Sequence, residues 1–148
     1  MSLEIKLDEA DLASLLKRLS PEQHKRAMQQ AILKGCIHLE GKVKRNTPVK
    51  TGRLRASWTH AVSADGLEGV VGTDVRYGLI VEEGYTGIIR PVHARALKLV
   101  FDGETVYRMF AKGQKGQHFA ARTLEQETGA VLELATKEVE AALGGEGA

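Results

Sequence analysis

The chain has 148 residues, enough for one domain with a substantial core, and its net charge of only +2 argues against a general nucleic-acid coating protein. Its single cysteine, Cys36, excludes an internal disulfide and favours a reducing compartment. No apolar run is long enough to span a bilayer, and the first residues lack a signal-peptide pattern, so we expect no membrane association.

Two amphipathic helices are predicted in the first third of the chain. The first covers residues 8–19, where four leucines fall on one face: Leu12, Leu15, Leu16 and Leu19. A longer helix follows, since Ser20 can cap it, Pro21 suits its first position and Gln23 can complete a capping box. Its apolar residues recur every three or four positions, and Pro48 ends it near Asn46.

Two β-hairpins are predicted after this helix. Residues 57–63 and 67–73 flank one Asp-Gly turn signal, and residues 96–101 and 105–110 flank another. Between the hairpins, residues 77–84 fit either a short helix or a strand.

A C-terminal helix is predicted from about Gln117 to Leu143, with residues 144–148 as a flexible tail. Loops are expected at 84–91 and 111–117, and both are candidates for ordering on assembly. We therefore predict one α+β domain over the whole chain. It has a long N-terminal helix, a central antiparallel sheet of about four strands and a C-terminal helix.

No catalytic residue, metal ligand set or cofactor site is predicted, and we expect no enzyme activity. The five histidines never occur at the i, i+4 spacing of a helical metal site, and one cysteine cannot build a zinc ribbon. Adjacent Glu82 and Glu83 diverge on a strand or a helix, so they form no carboxylate dyad. One is expected to point inward beside an arginine and the other into solvent.

Six cations crowd the segment 42–55: Lys42, Lys44, Arg45, Lys50, Arg53 and Arg55. They suit contact with nucleic-acid phosphate or with an acidic protein, while cations at a helix end also complement its dipole. The positions of Lys42, Lys44 and Arg45 fit this effect of the helix dipole. It does not account for Arg53 and Arg55, which lie past the predicted helix end. Trp58 is expected in the core first and at an interface second. The C-terminal region is acidic, so the basic segment of one copy of the chain is suited to bind the C-terminal region of another.

Three segments resemble a family of tailed-bacteriophage head–tail joining, tail-completion and minor tail proteins. Residues 47–57 read TPVKTGRLRAS and resemble the signature TPVxTGxLRxS. Residues 77–84, YGLIVEEG, resemble YAxxVExG. Residues 116–124, GQHFAARTL, are similar to xxPFLxPAL, although His118 replaces proline and Ala120 replaces leucine. The three segments follow in the family's order.

The resemblance implies a structural assembly protein of a phage or prophage, placed in the virion neck or the head-proximal tail and in the host cytoplasm during assembly. Its expected partners are further copies of itself in a ring, neighbouring head-connector and tail-tube proteins, and passing DNA in non-specific contact. The residues expected at its interfaces are Arg53, Arg55, Trp58, Glu82, Tyr85, Ile88, Ile89 and Arg90. The alternative is a small DNA-binding module that uses segment 42–55, with strongly salt-dependent binding and little self-association.

Overall fold

The computed structural model describes residues 1–5, 17–50, 52–101 and 103–144. This part of the chain contains the helices α1 (Pro21–Asn46), α2 (Arg53–Ser57), α3 (Tyr77–Glu83) and α4 (Phe119–Gly144). Its strands are β1 (Ser2–Ile5), β2 (Thr59–Val62), β3 (Gly69–Gly72), β4 (Ile88–Ile89), β5 (Leu97–Phe101), β6 (Glu104–Arg108) and β7 (Ala111–Lys112). The α+β class predicted from the sequence is confirmed.

The residues group into two units. The larger unit is formed by Met1–Gly78 and Phe119–Ala148, and the smaller unit by Leu79–His118. Two predicted features fall largely outside the described residues, namely the helix over 8–19 and the tail after Gly144.

Helix α1 begins and ends where the sequence predicts. The Gln23 N–H donates to Ser20 Oγ at 3.3 Å and the Ser20 N–H donates to Gln23 Oε1 at 3.1 Å, which completes the capping box. At the other end Thr47 is the C-cap, with the extended backbone expected before Pro48. The buried Thr47 hydroxyl donates to Val43 O at 2.6 Å and ties the helix end to its own last turn.

The two long helices pack against each other in the larger unit. Ala27 and Ala31 of α1 and Ala135 and Val139 of α4 are buried in one cluster, together with Leu19. Small side chains at these positions let the helices approach closely while the interior stays densely packed.

A three-stranded antiparallel sheet in the order β1-β3-β2 completes the larger unit. Strands β2 and β3 are the first predicted hairpin, with Val62 opposite Gly69. Strand β1 is an element that the sequence analysis misses. It pairs with the other edge of β3 and places Leu3 opposite Val71, and both side chains are buried.

The smaller unit contains two two-stranded ladders, so the described residues form three small sheets instead of one central sheet of about four strands. The second predicted hairpin is confirmed as β5 paired with β6. Strands β4 and β7 lie in segments predicted as loops, and they pair with Ile88 opposite Lys112. Residues 77–83, which the sequence left open, form helix α3.

Candidate functional site

The junction between α1 and the sheet is anchored on the core. Gly52 has φ +80°, a left-handed conformation that glycine adopts without a side-chain clash, and it precedes the short helix α2. Leu54 and Trp58 are buried at either end of this turn. The Trp58 ring meets Phe119 edge to face, with centroids 6.1 Å apart, so the junction is fixed against the start of α4.

Arg55 lies at the C-terminal end of α1. Its Nη2 donates to Thr47 O at 3.2 Å and to Arg45 O at 3.4 Å. Carbonyls in the last turn of a helix have no intrahelical partner and carry partial negative charge. Arg55 therefore supplies a cation to this helix end although it lies outside the helix. This contact gives Arg55 a structural role that the sequence does not reveal. The side chain is still exposed.

Much of the basic segment is engaged within the chain itself. Lys42 Nζ lies 3.5 Å from Glu127 Oε1, and Lys44 Nζ lies 2.6 Å from Glu40 Oε1. The Arg45 Nε–H donates to Gly41 O at 3.2 Å. The exposed cations of the segment are Arg45, Lys50, Arg53 and Arg55. The predicted patch is thus smaller than the sequence suggests, and it is concentrated around the junction.

Two histidine–glutamate pairs extend this polar network. His38 Nε2 contacts Glu127 Oε2 at 2.7 Å, and His60 Nδ1 contacts Glu40. Burial opposes ionisation of Glu40, but hydrogen bonds from Lys44 and His60 outweigh it and lower the pKa of that carboxyl. The His38 hydrogen bond is the largest cause that lowers the pKa of Glu127, against partial burial. Both glutamates are therefore held ionised.

These pairs cannot be predicted from the sequence because their members are far apart in the chain. The available signal was the position of His38 and Lys42 one helical turn apart on α1, which presents two potential cations to one acid. Nothing local indicates that Glu127 is that acid. Among the described residues, no three His, Cys, Asp or Glu side chains are grouped so that they would hold a metal ion.

The second set of predicted interface residues lies in the smaller unit. Glu82 is buried and Glu83 is exposed, so one carboxylate points inward and one outward. Tyr85, Ile88 and Ile89 are 43%, 55% and 44% exposed, so their side chains are accessible to a partner. Arg90 is exposed as well. Trp58, by contrast, is fully buried in the core of the larger unit, so its side chain exposes no surface to a partner.

The smaller unit has an unusual distribution of apolar side chains. All buried hydrophobic residues among the described ones belong to the larger unit. The smaller unit instead carries ten exposed large hydrophobics: Leu79, Ile80, Tyr85, Ile88, Ile89, Val92, Val100, Tyr107, Met109 and Phe110. Such a concentration is typical of surfaces that bind another macromolecule.

A family model described as "Bacteriophage HK97-gp10, putative tail-component" matches residues 10–84, half of the chain, and the protein belongs to this family. It is a structural component of a bacteriophage tail, and hence of the virion. The matched range contains the first two signature segments and excludes residues 116–124.

Comparison with curated proteins gave no significant match, and comparison with solved structures gave none. None of the helices in the described part of the chain has the length and apolar character needed to cross a bilayer.

Proposed function

We propose that the protein acts in head–tail joining or tail completion, as a ring subunit in the neck or at the head-proximal end of the tail. Membership of a tail-component family supports the general role. The finer placement draws on the resemblance of residues 47–57, 77–84 and 116–124 to head–tail joining and tail-completion proteins. Its partners in this proposal are further copies of the chain and the adjoining head-connector and tail-tube proteins.

One structural observation carries the proposal. The smaller unit exposes ten large apolar side chains, and among the described residues it fully buries none. A two-stranded ladder is at best marginally stable in water, and open strand edges invite pairing with another chain. Assembly into a tail would cover these surfaces. A ring also requires two different faces on each subunit, because a head-to-tail contact repeats around the closed circle.

A nonsense mutation in the gene for this protein, in the phage or prophage that encodes it, tests the proposal. We expect induced cells to accumulate filled heads and separate tails, visible by negative-stain electron microscopy, and infectivity to return when the protein is supplied from a plasmid. A catalytic or regulatory role would instead reduce particle number without leaving unjoined parts. Infectious particles of normal structure made without the protein would refute the proposal.

The alternative function is a small DNA-binding module, and one observation favours it. Arg45, Lys50, Arg53 and Arg55 remain exposed around the junction. If they contact about four phosphates, the logarithm of the binding constant falls with the logarithm of salt concentration with a slope of roughly −3 to −4. Tight, salt-dependent binding of duplex DNA by a strictly monomeric protein would favour this function over the ring.

A further inference from the structure

Strand β6 has one edge that no other described strand covers. Strands β5 and β6 form a two-stranded ladder, so the second edge of β6 is open among the described residues. The turn between Phe101 and Glu104 has two residues, which makes these two a hydrogen-bonded pair. Hydrogen-bonded and non-hydrogen-bonded pairs then alternate along the hairpin, and Thr105 and Tyr107 belong to the non-hydrogen-bonded pairs. Their backbone N–H and C=O groups therefore point away from β5, towards the open edge.

These outward backbone groups are free to bind another strand. Within the described residues, those of Thr105 and Tyr107 have no hydrogen-bond partner. Both side chains are exposed as well, that of Tyr107 to 67%. A two-stranded hairpin is only marginally stable in water, and an open edge is a template for a further strand. The β6 edge is therefore suited to strand addition, in which main-chain hydrogen bonds join an extended segment to a sheet.

The sequence of β6 is complementary to itself when two copies run antiparallel. The strand reads ETVYR, so Glu104 and Arg108 are equally distant from the central Val106. Pairing Val106 with Val106 of a second copy places Glu104 opposite Arg108 of that copy at both ends of the strand. Both charged side chains are exposed and form no ion pair within the described residues. Opposite charges that face each other across an antiparallel pair stabilise it, and like charges destabilise it.

The hydrogen-bond pattern of the open edge fits the same register. In this register Thr105 lies opposite Tyr107 of the second copy, and these are the residues with outward N–H and C=O groups. The two strands then exchange roughly four backbone hydrogen bonds. Glu104 and Arg108 meet in non-hydrogen-bonded pairs, where opposed side chains are closest. Because both share the face of Val106, their side chains meet on one side of the joined sheet.

The other strands of four or five residues in the described chain lack this property. Strands β1 and β5 carry one charged residue each, Glu4 and Lys98, and β2 and β3 contain no Lys, Arg, Asp or Glu. A charged residue on an exposed edge ordinarily discourages pairing with another chain. Lys98 has this effect on β5, because a second copy of β5 offers it no acid. The opposite charges of β6 instead favour one partner, another β6.

We propose that two copies of this chain associate through their β6 edges, antiparallel about Val106, and join their hairpins into one sheet in the order β5-β6-β6-β5. The contact is isologous, because the same strand lies on both sides of a two-fold axis. It therefore ends at a dimer, whereas closure of a ring requires a different, heterologous contact. The dimer contact does not depend on the proposed tail function.

Charge substitutions on β6 test the contact. Glu104→Arg and Arg108→Glu each place like charges at both ends of the paired strands, so we expect each to weaken dimerisation about tenfold. The variant that carries both substitutions restores opposite charges and should regain the unmodified affinity. An equimolar mixture of the two single variants should form heterodimers, because one variant then supplies the cations and the other the acids. Sedimentation equilibrium measures the dissociation constants.

Proline substitutions test the backbone contact. Thr105→Pro removes an N–H that points to the open edge, and we expect it to abolish dimerisation. Val100→Pro is the matched control, since Val100 lies directly opposite Thr105 and its N–H points to the other edge of the same hairpin. It should leave dimerisation unchanged. If circular dichroism shows that either proline unfolds the chain, the mixture of charge variants decides, because it keeps every backbone group.

Several results would overturn this inference and leave the tail function intact, since the nonsense mutant tests that function separately. The first is an unmodified protein that stays monomeric up to about 1 mM. The second is a mixture of the two charge variants that associates no better than each alone. The third is dimerisation that survives Thr105→Pro, which places the contact elsewhere. A monomeric protein whose folded Thr105→Pro variant cannot complement the nonsense mutant would assign the edge to another tail protein.

Discussion

At the scale of single residues, Arg55 in the junction after α1 shows that a cation predicted at an interface can instead stabilise a helix end. Arg55 was expected to face a partner, and it contacts Thr47 O and Arg45 O at the end of α1. Lys42 and Lys44 are likewise engaged, with Glu127 and Glu40. Cations that balance a helix end and neighbouring acids are less available to DNA, which weakens the DNA-binding alternative.

Removing the Arg55 side chain tests its role at the helix end. We expect Arg55→Ala to lower the free energy of unfolding by about 0.5–1 kcal/mol, because two C-terminal carbonyls lose a charged donor. Urea denaturation followed by circular dichroism measures the change. Lys50→Ala, an exposed cation in the same segment, is the control and should shift stability by less than about 0.5 kcal/mol. Equal stability of the two variants would contradict a structural role for Arg55.

The glutamates of the polar network make stability depend on pH. Hydrogen bonds from their basic partners lower the pKa of Glu40 and of Glu127 in the folded protein, despite partial burial. Their stabilising contribution is therefore complete above the unfolded pKa of about 4.3 and is lost as pH falls through the lower folded values. We expect Glu40→Gln with Glu127→Gln to flatten the acid side of the stability profile, measured by urea midpoints. The exposed Glu104→Gln should leave the profile unchanged.

At the scale of elements, glycines show where the packing is closest. Strand β3 crosses α1 so tightly that a methyl group on Gly69 would overlap Cys36 Sγ and lie 3.0 Å from Ile32 Cγ2. Gly129 in α4 is the opposite case, since beyond its chain neighbours and the adjacent backbone of its own helix no atom lies within 4 Å of the position its Cβ would take. One glycine is required by a neighbouring element, and the other is a replaceable position within a helix.

Two alanine substitutions should therefore have opposite effects. Gly69→Ala is expected to destabilise the protein by about 1–3 kcal/mol through overpacking. Gly129→Ala is expected to stabilise it by about 0.5–1 kcal/mol, the difference in helix propensity. Thermal and urea unfolding measure both. Adding Cys36→Ala to Gly69→Ala removes the clashing sulfur, so the double variant should lose less stability than the two single losses combined. Additive losses would contradict the clash.

The same elements show what sequence can and cannot predict. Local signals placed the ends of α1, because Ser20, Gln23 and Pro48 act within a few residues of themselves. Strand β1 carries no such signal, since it forms only by pairing with β3 about seventy residues later. The candidate site likewise contains residues that could be predicted from the sequence and contacts that could not. Ile88 and Ile89 were predicted at an interface and are exposed, whereas the pairing of His38 with Glu127 spans 89 residues and depends on the helix packing.

At the scale of the whole molecule, stability is distributed unevenly between the two units. Buried apolar area is the main source of folding stability, and the buried hydrophobic residues of the described chain all lie in the larger unit. Backbone hydrogen bonds connect the segments of the smaller unit, such as the Tyr85 N–H to Gln114 O and the Gly113 N–H to Gly87 O, both at 2.9 Å. We therefore expect the smaller unit to be most stable in an assembly that covers its exposed apolar side chains.

Hydrogen exchange of backbone amides tests this distribution. In the free protein, amides of the β5–β6 hairpin should exchange through local opening, at a free energy well below that of global unfolding, while those of α1 and α4 should approach the global value. In isolated tails the hairpin amides should slow, because docking buries Val100 and Tyr107 and adds the free energy of the contact to the cost of opening. A hairpin protected as strongly as α1 in the free protein would show that it needs no partner for its stability.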